Sequence, residues 1–241
     1  VDYGSDASDA HAPPERVTPE RYANALRASI PELFDEERWH VITEYGRYAS
    51  AKAGLMLSRV EYVKSAGGRR IATVHCGADL FLRTAYQPAN WPHRVSAWSH
   101  DGRFLDPSQE GELFAWDVVG PLCFRSDIIA HEVQLSAKLA AGCAIAVHDS
   151  GTYTLAMFSK YNSRQAPPVY GHQRGGSELF LMSEGETVDQ ALSMWQLPGE
   201  SCGGSAKDQR QWMVELAKLA AAAIAGALLA SNFTRGAMKR L

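Results

Sequence analysis

Between Ser58 and Glu184 the chain carries a series of short apolar or alternating runs, each ended by Gly, Pro, Asp or Ser. Runs of this length with such boundaries are typical of β-strands. They are SRVEYVKS, RRIATVHCG, GRFLDP, ELFAWDVVGPL, CAIAVHDSG and ELFLMSE. This series constrains the fold most strongly, because it predicts a β-rich domain over residues 57–185.

The residues before this domain carry helical signals. TPERYANALRASIPELF, residues 18–34, has apolar residues at helical spacing, with Thr18 as a candidate cap and Pro19 in the first turn. WHVIT, residues 39–43, predicts a short buried strand, and ASAKAGLML, residues 49–57, predicts a short helix. Since VDYG at the start is typical of a strand end entering a loop, these signals predict a strand–helix–strand piece ahead of the sheet, followed by the short helix.

The last segment has a different composition. SCGGSAKDQ predicts a flexible linker, and QWMVELAKLAAAAIAGALLASNF predicts an Ala-rich helix within residues 186–241. The uncharged run from Leu219 to Phe233 has 15 residues, shorter than the roughly 20 that span a bilayer. A packing or dimer helix is therefore the preferred interpretation, and a membrane-associated tail is the alternative.

Composition narrows the function classes. The chain has 241 residues, a net charge of −3 and four cysteines without C-x-x-C spacing. The charge gives no support for nucleic-acid binding, and the cysteine spacing argues against a structural metal site or a disulfide scaffold. Sparse cysteines favour a reducing compartment, so we expect a cytoplasmic protein. Since the chain begins VDYG without a methionine, we expect a fragment of a longer polypeptide.

Three stretches point to one family. They are TEYGRYASAKAGLMLSRVEYVK (43–64), VVGPLCFRSDIIA (118–130) and AVHDSGTYTLAMFSKYNSRQAPPVYG (146–171). In this order they resemble the E-P-G-R-Y, G-P-x-C-E-S-x-D and D-A-G-A-Y…Y-N-S-R motifs in the C-terminal half of the fold-type III, pyridoxal-phosphate-dependent decarboxylases. That family contains the ornithine, diaminopimelate and arginine decarboxylases of polyamine and lysine biosynthesis.

The resemblance implies an α+β, β-rich fold in three parts. Residues 1–56 would be the last strands and helices of a (β/α)8 barrel that binds the cofactor. Residues 57–185 would be a C-terminal β-domain of sandwich or barrel-like form, and residues 186–241 the linker and the helix. The resemblance also implies pyridoxal 5'-phosphate as cofactor, an amino acid as substrate, and a homodimer whose subunits share the active site.

The same motifs imply cofactor contacts. Glu44 would hydrogen-bond the pyridine nitrogen, Gly46 would let the backbone approach the phosphate, and Arg47 would pair with phosphate oxygens. Tyr153 matches a tyrosine whose hydroxyl reaches the phosphate, and Gly4 lies where the family has its glycine-rich phosphate loop. The alternatives are a surface ion pair for Glu44 and Arg47 and a half-buried strand position for Tyr153.

Cys123 matches the family cysteine that returns a proton to the substrate's Cα after carbon dioxide has left, acting from the partner subunit. A thiol suits that role because its pKa is near 8.5. The alternative is a buried apolar filler. Asp127 matches the last acidic position of the motif, while Arg83 and Tyr86 lie where diaminopimelate-type enzymes carry an Arg and a Tyr. These three residues are the predicted substrate contacts, with a surface strand as the alternative for Arg83 and Tyr86.

Two departures from the family limit these inferences. Phe124 stands where the family has an acidic residue that binds a distal amine, so we expect a substrate other than a plain diamine precursor such as ornithine, or a distal group held elsewhere. Nothing in residues 1–241 matches the motif of the Schiff-base lysine, so the chain alone is expected to lack activity. The alternatives are a non-catalytic homologue that regulates an active subunit and a related racemase.

Overall fold

The computed structural model describes residues 18–107, 111–173 and 178–195. Within these ranges the chain forms the helices α1 (Pro19–Ser29), α2 (Arg47–Ser50), α3 (Leu82–Tyr86) and α4 (Val188–Ser193). The strands are β1 (Met56–Ala66), β2 (Arg69–Val74), β3 (Val95–Trp98), β4 (Leu113–Val119), β5 (Ile128–Ser136), β6 (Ala144–Val147), β7 (Val169–His172) and β8 (Leu179–Ser183). Short 3-10 helices occur at Pro31–Phe34, Ala51–Ala53, Leu155–Met157 and Tyr161–Ser163.

Six strands form one sheet in the order β3-β6-β1-β2-β4-β5. All neighbouring pairs are antiparallel except β2 and β4, which are parallel. The edge strands β3 and β5 also contact each other, so the sheet curls into a nearly closed, barrel-like form. Strands β7 and β8 form a separate antiparallel hairpin. The strand-rich α+β fold class predicted from the sequence is confirmed.

The core lies inside the curled sheet. Its members are apolar side chains from the inward faces of the strands and from the loops that close the barrel ends, with Phe81 and Leu105 among the largest. Val60, Val74, Val118 and Ile145 are fully buried representatives of four strands of this sheet. Burial of such side chains is the dominant stabilising term for a sheet of this kind.

Helix α1 forms where the sequence predicts it. The Thr18 side chain accepts a hydrogen bond from the backbone N–H of Arg21 at 3.2 Å, and Pro19 occupies the first turn. The helix ends at Ser29, because Pro31 then begins a 3-10 turn instead of extending the α-helix. The predicted cap and start are therefore confirmed, and the predicted end is about one turn too late.

The predicted strand at residues 39–43 is wrong. This segment has no strand partner within the described residues, and Val41 and Ile42 are 47% and 78% exposed. Apolar composition alone does not make a strand, since a strand needs a neighbour to satisfy its backbone hydrogen bonds. The helix predicted at residues 49–57 is also displaced: helix begins at Arg47, and β1 has started by Met56.

Other differences follow from tertiary pairing. GRFLDP supplies only an isolated bridge between Phe104 and Trp98, in place of the predicted strand. The sequence pattern does not predict strands β3, β5 and β7. Within the described residues no helix is long and apolar enough to cross a membrane. The predicted linker and Ala-rich helix from residue 196 onward lie outside the described residues.

Candidate active site

The topology of the sheet brings the motif-bearing loops together at one end of the strands, the end at which β2, β4 and β6 finish. This end is called the sheet edge below. Since β2, β4 and β6 run in the same direction, the segments that follow them emerge together, and the segments that precede β1 and β3 arrive at the same edge. These segments carry the candidate functional residues Arg47, Arg83, Trp91, Cys123 and Tyr153. The parallel pairing of β2 with β4 places α3 beside the Cys123 loop.

A cationic cluster, composed of Arg47, Arg83, Trp91 and Tyr153, lies at this edge. The guanidinium carbons of Arg47 and Arg83 lie 3.7 Å and 4.5 Å from the centroid of the Trp91 indole. Arg83 also lies 4.6 Å from the ring centroid of Tyr153, and that ring meets Trp91 edge-to-face at 5.4 Å. Aromatic faces attract guanidinium groups, so two positive charges are held close together.

The backbone at Gly46 adjoins this cluster. Gly46 has φ +50°, and a Cβ built there would lie 3.3 Å from the hydroxyl oxygen of Tyr153. Tyr153 itself has φ +57°, a conformation that costs a non-glycine residue of order 1 kcal/mol and is common at functional sites. The exposed peptide at Gly46 and the phenol hydroxyl therefore face each other closely, next to two guanidinium groups.

A close backbone crossing fixes Arg47 relative to Tyr153. The Gly151 N–H donates to Ala51 O at 2.9 Å, and the Ser150 N–H donates to Gly54 O at 2.9 Å. A Cβ on Gly151 would lie 2.0 Å from Ser50 O, so only glycine fits there. The helical segment that begins with Arg47 is thus bonded directly to the turn that carries Tyr153.

Asp149 ties the loop before β3 to the same turn. It forms a bidentate pair with Arg94, at 2.9 and 3.2 Å, and lies 3.8 Å from the Lys52 ammonium. Burial opposes ionisation of Asp149, but the hydrogen bond and charge of Arg94, aided by Lys52, hold the pKa of the carboxyl below its usual value. The carboxylate therefore stays charged and anchors Trp91, three residues before Arg94, near the turn of Tyr153.

The cluster fits a phosphate-bearing cofactor on structural grounds. Arg83 Nε is buried and has no hydrogen-bond partner within the described residues. A buried donor without a partner is costly, and an anion at this point would satisfy it. A phosphate needs clustered donors and close backbone approach, which the guanidinium groups, the Tyr153 hydroxyl and Gly46 provide.

The Cys123 loop follows β4 at the same edge. Cys123 is exposed, whereas Cys76 and Cys143 are buried, so the alternative of a buried filler is wrong for Cys123. Its N–H donates to Asn162 Oδ1 at 3.2 Å, and the Tyr161 hydroxyl donates to its carbonyl at 2.7 Å. The YNSR segment thus holds the backbone of Cys123 on both sides and leaves the thiol accessible.

Asp127 shapes this loop from within. One carboxylate oxygen accepts the N–H of Ala78 and the other accepts the N–H of Leu122, each at 2.6 Å. Asp127 is 4% exposed, and burial raises the pKa of its carboxyl in spite of these bonds. The structure therefore places Asp127 as the link between the Cys123 loop and the segment after β2, and the substrate contact predicted for it stays a prediction.

An aromatic wall, composed of Tyr86, Phe124 and Tyr161, adjoins Cys123. The Phe124 ring centroid lies 6.1 Å from Tyr86 and 6.2 Å from Tyr161. Tyr86 is 71% exposed and lies on α3, three residues after Arg83. Residues three apart on a helix share a face, so α3 connects the wall with the cationic cluster.

Arg164, three residues after Tyr161, anchors the chain next to the wall. Its Nε donates to Asp79 Oδ2 at 3.1 Å, and its Nη2 donates to the carbonyl of His75 at 2.6 Å. Asp79 is 1% exposed, so Arg164 pairs with a buried carboxylate and fixes the YNSR segment to the residues before α3. The assignment of Asn162 and Arg164 to local structure agrees with these contacts.

For two predicted residues, Glu44 and Gly4, no contact with these clusters is described. Glu44 is exposed on the loop two residues before Gly46, and its contact with a ring nitrogen stays a prediction. Gly4 lies outside the described residues. Sequence reasoning missed Trp91 and Asp79, for which no motif gave a signal, and passed over Tyr161, although it stands inside the quoted YNSR motif.

Comparison with known proteins identifies related chains. The family model described as pyridoxal-dependent decarboxylase, C-terminal sheet domain, matches residues 14–151. The diaminopimelate decarboxylase of Haemophilus influenzae is 35% identical over 179 residues, which are 74% of this chain and 39% of that protein. A diaminopimelate decarboxylase of Helicobacter pylori is 35% identical over 164 residues, 68% of this chain and 37% of that protein.

Solved structures show the same fold. A crystal structure of diaminopimelate decarboxylase superposes with a TM-score of 0.61 and 27% identity, over 80% of this chain and 46% of that one. The Helicobacter pylori enzyme in complex with L-lysine gives 0.60 at 24% identity, over 76% and 41% of the two chains. The chain thus spans about two fifths of the length of the curated relatives it matches.

Proposed function

Because the chain belongs to the pyridoxal-dependent decarboxylase family, through its C-terminal sheet domain, we propose that it forms the C-terminal part of a pyridoxal-phosphate-dependent amino-acid decarboxylase. The observation that carries this proposal is the meeting of two arginines, the Tyr153 hydroxyl and an exposed thiol loop at one edge of the sheet. The relatives carry the name diaminopimelate decarboxylase, which makes diaminopimelate the reference substrate for a test.

The cationic cluster would hold the anionic groups of the cofactor and the substrate. When bound, pyridoxal phosphate would supply an electron sink for the charge that develops at Cα as the carboxylate leaves. Arg47 and the hydroxyl of Tyr153 lie next to the open backbone at Gly46 and would bind phosphate oxygens. Arg83, with its buried unpartnered Nε, would complete the charge balance, and Glu44 would hydrogen-bond the ring nitrogen.

Cys123 would complete the reaction. The bond between Cα and the carboxylate carbon breaks and releases carbon dioxide, and the thiol S–H then donates its proton to Cα. The thiolate regains a proton from solvent, which the exposure of Cys123 permits. Two hydrogen bonds fix the Cys123 backbone, so the thiol is attached to a backbone held in one conformation.

We propose that Cys123 acts in the site of a second subunit, in a homodimer related by twofold symmetry. Along the strand order, the segments next to β1 and β6 carry Arg47 and Tyr153, the segment after β2 carries Arg83 on α3, and the loop after β4 carries Cys123. A partner chain that faces this edge would meet both groups at once. The family resemblance supports the same arrangement.

The test uses the complete polypeptide with added pyridoxal phosphate. Carbon dioxide release from a mixture of amino acids that includes diaminopimelate should depend on the cofactor. Cys123→Ala should reduce turnover by about 100-fold, since general acid catalysis contributes that order, while cofactor absorbance stays unchanged. Cofactor binding without any carbon dioxide release would instead indicate a non-catalytic homologue, and unchanged turnover in Cys123→Ala would remove the thiol from the reaction.

A further inference from the structure

The proposed reaction does not explain why three aromatic rings lie next to Cys123. Phe124 follows the thiol residue directly, and Tyr161 bonds the Cys123 carbonyl, so two of the three rings are tied to the backbone that aims the thiol. Tyr86 closes the third side at 6.1 Å from Phe124. A molecule whose reacting carbon lies at the thiol would therefore place its neighbouring groups against these rings.

The carboxylates of the adjoining segments do not serve this surface. Asp127 is buried with both oxygens bonded to backbone N–H groups. Asp79 is 1% exposed and pairs with Arg164. Neither carboxylate is available to neutralise a positively charged group that approaches the wall.

Two arginines stand close to the wall residues in the sequence, and the guanidinium of one of them, Arg83, packs on the Trp91 and Tyr153 rings. Arg83 lies three residues before Tyr86 on α3, and Arg125 follows Phe124 and is exposed. Aromatic rings alone attract an ammonium group by only about 0.5–1 kcal/mol at an exposed site, and neither Asp127 nor Asp79 is available to add a carboxylate. Rings in this setting gain more from burying an uncharged apolar group, at roughly 25 cal/mol per Å².

We infer that the aromatic wall is a specificity-determining surface that selects amino acids with an uncharged apolar or aromatic side chain over those that end in an ammonium group. This inference rests on the proposed function, because it takes Cys123 to face the substrate's Cα. Phe124 is the central residue, since it contacts both tyrosines and adjoins the thiol.

Substrate competition in the complete, cofactor-loaded enzyme tests the inference. We expect kcat/KM for L-phenylalanine or L-leucine to exceed that for diaminopimelate, L-lysine, L-ornithine and L-glutamate. Phe124→Glu should shift the preference toward L-lysine by about tenfold or more, because it supplies a carboxylate for the ammonium. Phe124→Leu, the matched apolar control, should keep the original preference. Diaminopimelate, lysine, ornithine or glutamate as best substrate of the unaltered enzyme would overturn the inference.

A second measurement does not need turnover. Cys123 is alkylated in the complete protein with N-benzylmaleimide or N-(2-aminoethyl)maleimide, and each rate is divided by the rate with glutathione. We expect the benzyl reagent to be favoured about fivefold or more, consistent with burial of one ring, and the preference to fall in Phe124→Ala but not in Phe180→Ala, an exposed ring on β8.

The two measurements separate the two proposals. If no amino acid is decarboxylated but the benzyl preference is present and depends on Phe124, the proposed function fails and the apolar selectivity stands. If decarboxylation occurs but neither the substrate ranking nor the labelling depends on Phe124, the function stands and the selectivity of the wall is refuted.

Discussion

At the scale of single residues, Trp91 organises the cationic cluster. Both guanidinium groups lie over its indole, and the carbonyl of the preceding Asn90 accepts a hydrogen bond from Arg47 at 3.3 Å. The Thr84 hydroxyl donates to the Trp91 carbonyl at 2.9 Å, which fixes the indole relative to α3. Trp91 thus keeps two like charges close together, and we propose that it positions them to share one anion.

Replacing Trp91 tests this role. Trp91→Leu should weaken binding of pyridoxal phosphate about tenfold, equivalent to roughly 1.4 kcal/mol, because it removes the face that attracts both arginines. Trp91→Phe should recover part of the affinity. The measurement is cofactor titration by absorbance, with Trp195→Leu, at an exposed tryptophan, as control. Equal affinity in the Leu and Phe variants would mean that the ring contacts do not position the arginines.

His93 makes the stability of this edge depend on pH. Its Nδ1 lies 2.8 Å from the His148 carbonyl, and its ring meets Phe81 edge-on. Burial lowers the pKa of His93 below its usual value in spite of that hydrogen bond. As the pH falls, His93 therefore takes up a proton at a higher pH in the unfolded chain than in the folded protein.

The sign of the effect follows from this order. The stability that a neutral His93 contributes is present above about pH 6.5, the unfolded pKa, and is lost as the pH falls through the lower folded pKa. Urea midpoints between pH 8 and pH 5 should fall more steeply for the natural protein than for His93→Gln, which keeps an N–H donor but does not titrate. Equal slopes of urea midpoint against pH in the two proteins would show that His93 does not cause the pH dependence.

The sequence pointed to several residues of the candidate site and missed others, for a physical reason. Arg47, Tyr153 and Cys123 stand inside local motifs, and the structure brings all three to one sheet edge. Trp91 stands in no motif, and its role depends on the approach of Arg47, which is 44 positions earlier in the chain. Such a contact is set by tertiary packing, and neither periodicity nor spacing carries a signal for it.

At the scale of elements, the crossing of the Ala51–Gly54 segment with the turn at Gly151 is the joint that aligns Arg47 with Tyr153. A side chain on Gly151 would collide with the carbonyl of Ser50. The hydroxyls of Ser50 and Thr152 also hydrogen-bond across the joint. Any widening here would separate the two elements that carry Arg47 and Tyr153.

Gly151→Ala should therefore cost about 2–4 kcal/mol of unfolding free energy and weaken cofactor binding along with it. Gly67→Asn is the matched control. Gly67 lies in the β1–β2 turn with φ +58°, where a Cβ would meet no atom of the described residues within 4 Å, and asparagine tolerates that conformation. Urea unfolding and cofactor titration of both variants give the answer. A Gly151→Ala protein as stable as Gly67→Asn would contradict the tight crossing.

The failed strand prediction at residues 39–43 belongs to this scale. WHVIT is an apolar run, yet Val41 and Ile42 are exposed and unpaired with any strand in the described part of the chain. By contrast, β2 and β4 were predicted correctly because each has long runs of alternating or apolar residues that the neighbouring strands bury. Local pattern therefore identifies strands only where the chain also supplies their partners.

At the scale of the whole molecule, the directions of the strands determine which loops lie side by side. The sequence predicts most strands, but it does not reveal that β2 and β4 are parallel, which requires the crossover through α3 and β3. That single parallel pair places Cys123 beside the helix that carries Arg83 and Tyr86. The fold class and the family were predictable from motifs, while the meeting of the candidate site residues from four separate segments required the structure.

The central claim is that Cys123 and the cationic cluster complete each other across a twofold dimer, and mixed dimers test it most directly. Differently tagged Arg47→Ala and Cys123→Ala chains of the complete protein are each expected to be inactive. Co-expression should restore about a quarter of natural activity, because half of the dimers are mixed and each of these holds one intact site. Mixed dimers as inactive as either parent would show that Cys123 of one subunit does not complete the cationic cluster of the other.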